Sequence, residues 1–510
     1  MTGRVLSLGR DDDVVIVLDG AGAGETLDVD GAALPANGDI PRGHKIALRD
    51  IPAGGLVHKY GHVIGEATAD IHRGDHVHTH NLGMPADPTA LASSDTTHAA
   101  AAVLPPDLPR TFAGIRRSDG RIATRNFIAV LSTVNCSATV AQQIARRSEI
   151  PLESWRERGV DGVIALTHGT GCGMAASGEG WDVLRRTMRG YAEHPNIGGV
   201  VVVGLGCEVN AIAGLIDPAE LRTDVPISSY TIQGVGGTRA AIDNGVEAVL
   251  AMAEQIADVE RTEVGVENLV LGMQCGGSDA LSAITANPAL GVVSDWLVAQ
   301  GATSVLGETP EIYGAEQMLA DRAVSPEVAA RLLERIAWWE KYAEREGATL
   351  DGNPSPGNKE GGISTILEKS LGSVAKGGHA PLTAVHAYAE RTDVPGFVFM
   401  DSPGYDPVSA TGMVAGGANL ICFTTGRGSA FGSRPAPTVK LATNRELAIR
   451  MAGDMDVDCS GVVEEGRPLE DVAREIYAEL LAVASGKQSK SEELGMGGEE
   501  FVPWQIGAVL

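Results

Sequence analysis

The chain has 510 residues, 44% apolar and 21% charged, which is the balance of an ordinary globular protein large enough for roughly three domains. Its net charge of −26 excludes nucleic acid or an anionic membrane as a main partner, because both require a basic face. Six cysteines without a C-x-x-C pair exclude a disulfide scaffold and a zinc ribbon.

The opening residues, MTGRVLSLGRDDD, lack the apolar core of a signal peptide, and no run of about 18 apolar residues follows. A cytoplasmic, reducing location is the expectation. Residues 1–84 carry short strand-like runs (VVIVLD, KIALRDI, HKYGHVIGEATADI) broken by Gly, Pro and Asp turns, which predicts a small all-β domain. Residues 85–110, rich in Pro, Ala, Ser and Thr, read as a linker. From 111 to 260 the runs FIAVLSTV, GVIALTH and GVVVVGLG alternate with helical stretches such as ATVAQQIARRSE and WDVLRRTMRGYAEH. A second alternating block, 261–510, contains LVLGMQ, TSVLGE, GFVFMD and NLICFTT as strands and SPEVAARLLERIAWWEKYAERE and LEDVAREIYAELLAVAS as helices. Continuous apolar strands alternating with helices predict α/β domains with doubly wound, mostly parallel sheets. The end of the chain, FVPWQIGAVL, is apolar enough to dock on a neighbour.

Cys136, Cys172, Cys207 and Cys275 each stand where a strand-like run gives way to a turn. In an open parallel sheet those ends face the ligand crevice, and thiolates there are soft metal ligands. Three uses stay open for them: ligands to one metal, ligands to an iron–sulfur cluster (Cys172, Cys207 and Cys275), or a nucleophile, with Cys172 served by His168 as base. Ordinary core packing is the plainer alternative, and it suits Cys422 and Cys459. His76, His78 and His80 in HVHTHN fall on alternate positions of an expected strand and so share one face, with His44 in a turn elsewhere. A solvated edge strand would explain the triple equally well.

Glu208 and Glu308 follow strand ends and could ligate a metal, as could Glu311 nearby, while Asp279 fits an N-cap. Lys359, Arg427, Arg125 and Asn126 lie in polar or glycine-rich turns where a carboxylate could be gripped. None of those loops is a P-loop or a dinucleotide fingerprint.

Taken together, PRGHKIALRDI, KYGHVIG, DGRIATRN, THGTGCG, GLGCE, MQCGGSDALSAITANPALG, NPSPGNKEGGI, EKSLGS, TTGRGSAFG and KLATNRELA resemble the altronate/galactarate dehydratase family over nearly the whole chain. HVHTHN and EIYGAEQ are closer to the altronate branch. The resemblance implies a leading SAF-type β-clip domain and a hydro-lyase that takes water from a sugar acid to leave a 2-keto-3-deoxy acid. It also implies Fe2+ or Mn2+ as cofactor. The expected reaction is the dehydration of D-altronate to 2-dehydro-3-deoxy-D-gluconate, with galactarate or another sugar acid as the alternative substrate. A sulfolactate sulfo-lyase shares the architecture but as two chains, and a sugar-acid binding protein is the non-enzymatic alternative.

In β-elimination a base removes the C2 proton and the C3 hydroxyl leaves. A cation stabilises the charge that develops on the carboxylate. On this expectation His44, His168 and Lys359 serve catalysis, and Arg125, Asn126, Lys359 and Arg427 hold the acid. Cys136, Cys172, Cys207, Cys275, Glu208 and Glu308 surround the metal. The expected partner is the small acid alone, and a homo-oligomer is left open.

Overall fold

The computed structural model describes residues 3–85, 103–216 and 221–507. Most of the expected 85–110 linker therefore lies outside the described residues. Its last part is docked: Leu108 is buried in the largest core, and the Tyr477 hydroxyl donates to the Pro109 carbonyl at 2.6 Å.

Residues 3–85 form strands and turns with no helix, as their pattern predicts. Val5–Leu6, Val14–Val17, Lys45–Ala47 and His76–Val77 make one antiparallel sheet, and Leu56–Lys59, His62–Ala67 and Leu82–Gly83 make a second. The strand Val14–Val17 is buried on both faces, so its side chains feed separate cores. Ile16 and Leu18 pack on Leu281, which belongs to the C-terminal block. The β domain is thereby seated on that block.

The second block enters through Thr111–Arg116 and leaves through Arg261–Gly265, and these two strands pair antiparallel from Thr111↔Gly265 to Ile115↔Arg261. Its main sheet is entirely parallel, in the order Gly162–Leu166, Phe127–Ser132, Ile197–Gly204, Ile227–Thr231. The run FIAVLS is buried throughout because it serves two cores. Ile128 and Val130 face one layer, while Ala129 and Leu131 face the other.

The third block is built on seven parallel strands, ordered Leu382–His386, Gly396–Met400, Thr303–Leu306, Val270–Cys275, Leu420–Thr425, Thr438–Ala442, Val457–Asp458. Its two faces feed different cores: Leu271 and Met273 with Phe397 and Phe399 on one, Val305, Val398 and Phe423 on the other. The doubly wound parallel architecture read from the sequence is the one observed. From Val270–Cys275 the chain steps to Thr303–Leu306 on one side, and later crosses back to Leu420–Thr425 on the other. That reversal opens a crevice at the carboxyl ends of Val270–Cys275 and Leu420–Thr425, where ligands of such folds bind.

The apolar tail docks within its own chain. Trp504 stacks on Trp339 with ring centroids 5.4 Å apart, and Phe501 meets Tyr191 edge-on at 4.7 Å. No helix among the described residues is long and apolar enough to cross a membrane.

Candidate active site

The turn Gly276–Asp279 and the turn Gly426–Gly428 lie side by side at the switch point, joined by bonds from the Gly426 and Arg427 amides to the Gly277 carbonyl (3.1 and 2.9 Å). Asp279 closes the floor. Its Oδ1 accepts from the Ser282 amide (2.9 Å), the capping role open to it from sequence, and also from Thr443 Oγ1 (2.9 Å). Its Oδ2 accepts from Asn444 Nδ2 at 3.0 Å. Gly426 is obligatory here, because a Cβ on it would stand 2.2 Å from the Asp279 carboxyl carbon.

The segment 355–364 forms the wall between this floor and the β domain. On one side Asn358 Nδ2 donates to the Ser278 carbonyl (2.9 Å) and the Ala280 amide to the Gly361 carbonyl (2.8 Å). On the other side His44 Nε2 donates to the Glu360 carbonyl at 3.1 Å, so the remaining nitrogen of His44, Nδ1, accepts from His76 Nε2 at 2.9 Å. At the mouth Arg427 pairs with Glu360 (2.8 Å) beside Lys359, the pair being exposed on both sides. His44, Lys359 and Arg427 are thus gathered along this one wall.

His44, His76 and His78 each bring a ring nitrogen into one group, all within 4.8 Å. The strand expected for HVHTHN is only His76–Val77. His78 to His80 lie in a turn that Asn81 holds by accepting from the His78 amide (2.9 Å) and donating to the His76 carbonyl (3.0 Å). The shared face survives, and His44 joins it across the sheet. Burial pushes His76 down to about 4 and His78 down to about 3, and lowers His44 as well. All three rings are therefore neutral, the protonation state in which imidazole binds a first-row divalent cation. His80 lies tilted against His76, ring centroids 5.3 Å apart, but is exposed and stands outside the group.

Beneath the histidines lies a charged triad that sequence reasoning missed. Lys45 Nζ donates to the Gly362 carbonyl (2.7 Å), Ser364 Oγ (2.9 Å) and Glu368 (2.9 Å), and Lys59 Nζ donates to the same carboxylate (2.7 Å). Ser364 in turn bonds His78 Nδ1 at 3.0 Å, linking the triad to the imidazoles. All three charges are buried. Burial alone would raise the Glu368 carboxyl, but Lys45 and Lys59 more than offset that and hold it at about 2. Two ammoniums share one carboxylate, so burial leaves Lys45 the more weakly protonated, at about 8. The available signal was a lysine inside each of two apolar strand runs, KIALRDI and HKYGHVIG, and an acid in EKSLGS.

A second group, Cys275, Glu308 and Glu311, also gathers its ligand atoms within 4.8 Å, completely buried. Its donors are already matched to cations of the protein. Lys376 Nζ lies 2.9 Å from Cys275 Sγ, and Lys369 Nζ lies 2.7 Å from Glu311. Burial pushes the Cys275 thiol up to about 12, so it keeps its proton and donates to Glu311 at 3.4 Å. Glu308 sits in the left-handed region (φ 66°) with both carboxyl oxygens lacking hydrogen-bond partners, and burial and then Glu311 raise its pKa well above normal. A divalent ion here would face two ammoniums, so the donor chemistry fits the histidine group better.

The remaining expected site residues are placed elsewhere, and the single metal set read from the sequence divides. Arg125 is 2% exposed, and its guanidinium is spent on Glu492 (2.7 Å) and on the Thr124, Val483 and Lys487 carbonyls, so it holds the tail of the fold rather than a substrate. Asn126 is fully buried and donates to the Gly159 and Ile256 carbonyls. His168 belongs to the second block, where burial lowers it to about 4 and the Thr170 amide donates to its Nδ1, so it is not poised as a base for Cys172. Cys136, Cys172, Cys207 and Glu208 stand on the parallel sheet of the second block, not with Cys275 and Glu308. Cys422 and Cys459 are core residues.

Three family models cover the chain in succession. Residues 3–85 match the altronate/galactarate dehydratase SAF domain, 114–257 the second domain of D-galactarate dehydratase/altronate hydrolase, and 266–509 the C-terminal domain of D-galactarate/altronate dehydratase. The altronate dehydratase of Bacillus subtilis (strain 168) is 35% identical over 96% of this chain and 96% of its own length.

The chain belongs to the altronate/galactarate dehydratase family.

As a member it is a hydro-lyase. The galactarate dehydratase (L-threo-forming) of Escherichia coli (strain K12) is 36% identical over 90% of this chain and 88% of its own. The (2R)-sulfolactate sulfo-lyase subunit beta of Chromohalobacter salexigens is 30% identical over 77% of this chain and 97% of its own. The matching alpha subunit from the same organism covers only 13% of this chain. The family's architecture thus occurs both split over two chains and, as here, fused in one.

Proposed function

We propose that the protein dehydrates a sugar acid, with D-altronate as substrate and 2-dehydro-3-deoxy-D-gluconate as product, at the crevice between the β domain and the seven-stranded sheet. The observation that carries this reading is the convergence of His44, His76 and His78 on the wall that also bears Lys359 and the exposed Arg427–Glu360 pair. In this reading the three histidines hold Fe2+ or Mn2+, which when bound supplies Lewis-acid stabilisation of the charge developing on the substrate carboxylate.

The chain's own groups do the rest. An exposed ion pair contributes at most about 1 kcal/mol, so a substrate carboxylate can draw Arg427 away from Glu360 at little cost. Lys359 adds a second positive charge at the mouth. His44 Nε2 is held by the Glu360 carbonyl and its Nδ1 faces His76, so an ion that replaced the His76 bond would take Nδ1, which moves His44 from the expected base to a ligand. His80, exposed and beside the group, is the proton acceptor for C2 in this reading. The triad of Lys45, Lys59 and Glu368 fixes the depth at which the β domain seats, and Ser364 ties the triad to Nδ1 of His78.

The test is a screen of metal-reconstituted protein against altronate, galactarate and their stereoisomers, reading keto-acid formation. Keto-acid from altronate, lost on chelation and restored by ferrous or manganous ion, is the expected result. Preference for galactarate would overturn the substrate, and no keto-acid from any sugar acid would overturn the whole reading. Loss of bound metal in His76→Ala and His78→Ala, measured by elemental analysis, checks the ligands independently of turnover.

A further inference from the structure

Three of the six cysteines are buried and accounted for, but Cys136, Cys172 and Cys207 are exposed and belong to no hydrophobic core. Free cysteine is among the residue types most often buried, so three exposed thiols in one domain call for a reason. They follow the carboxyl ends of three adjacent parallel strands, Phe127–Ser132 at the centre with Gly162–Leu166 and Ile197–Gly204 on either side.

The three loops are tied to one another. The Asn135 amide donates to the Thr170 carbonyl (2.9 Å), the Asn210 amide to the Gly171 carbonyl (3.0 Å), and Asn210 Nδ2 to the Thr133 carbonyl (2.9 Å). Gly171 has φ 97°, and a Cβ there would lie 2.3 Å from the Thr133 carbonyl oxygen. Only glycine lets the loop carrying Cys172 pass this close to the one carrying Cys136. Glu208 is spent on the Leu205, Gly206 and Cys207 amides and on Thr133 Oγ1, so it shapes the loop that presents Cys207 and leaves the sulfurs as the ligands.

We propose that Cys136, Cys172 and Cys207 bind an iron–sulfur cluster through three thiolates, with the remaining iron left to a non-cysteine ligand. Spacing counts against a single ion. A tetrahedral ion with sulfur ligands at about 2.3 Å draws those sulfurs to roughly 3.8 Å from one another. The three sulfurs do not all lie within 4.8 Å of one another, whereas a cluster spreads its thiolates over separate irons. The three cysteines share no residue with the histidine group, and the proposal does not depend on the reaction proposed there.

The experiment uses the full-length protein, purified anaerobically and reconstituted with ferrous ion and sulfide. Iron, acid-labile sulfide and the visible absorption of the cluster are measured per chain. The parent is expected to hold sulfide and iron in equal amounts. Cys136→Ser, Cys172→Ser and Cys207→Ser should each lower sulfide about tenfold or more. His76→Ala, which empties the histidine group, should keep its sulfide, so failure of the crevice reading and failure of this one are distinguishable. In the reconstituted parent the three thiols should resist alkylation, a readout that does not require the variants to fold. Absence of sulfide in the reconstituted parent, metal bound there without sulfide, or full sulfide in the three serine variants would each overturn the proposal.

Discussion

Replacing Glu368 by Gln leaves the side chain's shape but removes the one charge that neutralises two buried ammoniums. A carboxyl held at about 2 instead of its ordinary 4.5 represents about 3 kcal/mol of preference for the folded, ionised state. Because the folded pKa is the lower one, that contribution is complete above pH ~4.5 and fades as pH falls toward ~2. Breaking a buried pair by removing one partner costs about 3–5 kcal/mol, in agreement with that figure. The loss falls on the seat of the β domain, since Lys45 and Lys59 reach Glu368 from its strands. Amide hydrogen exchange in Lys45–Ala47 and Leu56–Lys59 at pH 7 should accelerate on the order of a hundredfold. The combined change Lys45→Met, Lys59→Met and Glu368→Leu should restore protection, because a well-packed apolar replacement of a buried ionic group is neutral or stabilising. Exchange in Glu368→Gln within about twofold of the parent would refute the reasoning, since no cost that small is compatible with two stranded ammoniums.

Burial and then Glu311 push the Asp406 carboxyl up to about 7, so the folded state holds its proton and the parent loses up to about 4 kcal/mol as pH rises from ~4 to ~7. Asp406→Asn lacks that loss, and its urea midpoint should exceed the parent's at pH 8 but not at pH 4. Arg427→Met should raise KM for the sugar acid about tenfold with a smaller change in kcat, as steady-state kinetics would read, because Arg427 is assigned to ground-state binding. Trp504→Ala, which removes the ring stacked on Trp339, should destabilise the protein by about 3 kcal/mol in a denaturation series.

The sequence alone determined the sheets and the order of the blocks. FIAVLS and LICFTT are buried at every position and mostly apolar because strands between two helical layers have no solvent face. The turn-rich first 84 residues, the strand-end placement of the thiols and the shared face of HVHTHN were legible for the same local reason, since periodicity and turn chemistry act within a few residues. What only the tertiary structure decided is who meets whom. Cys207 and Cys275 both stand at the carboxyl end of an apolar run, yet they belong to different sheets, and nothing local to either run says so. Arg125 reads as a substrate grip in DGRIATRN, but its bond to Glu492 spans 367 positions of the chain. Lys45, Lys59 and Glu368 look like ordinary surface charges until the domains dock and one carboxylate neutralises two ammoniums away from water. Burial and long-range ion pairing are set by how domains pack, and packing of segments hundreds of residues apart leaves no periodic trace in any one of them.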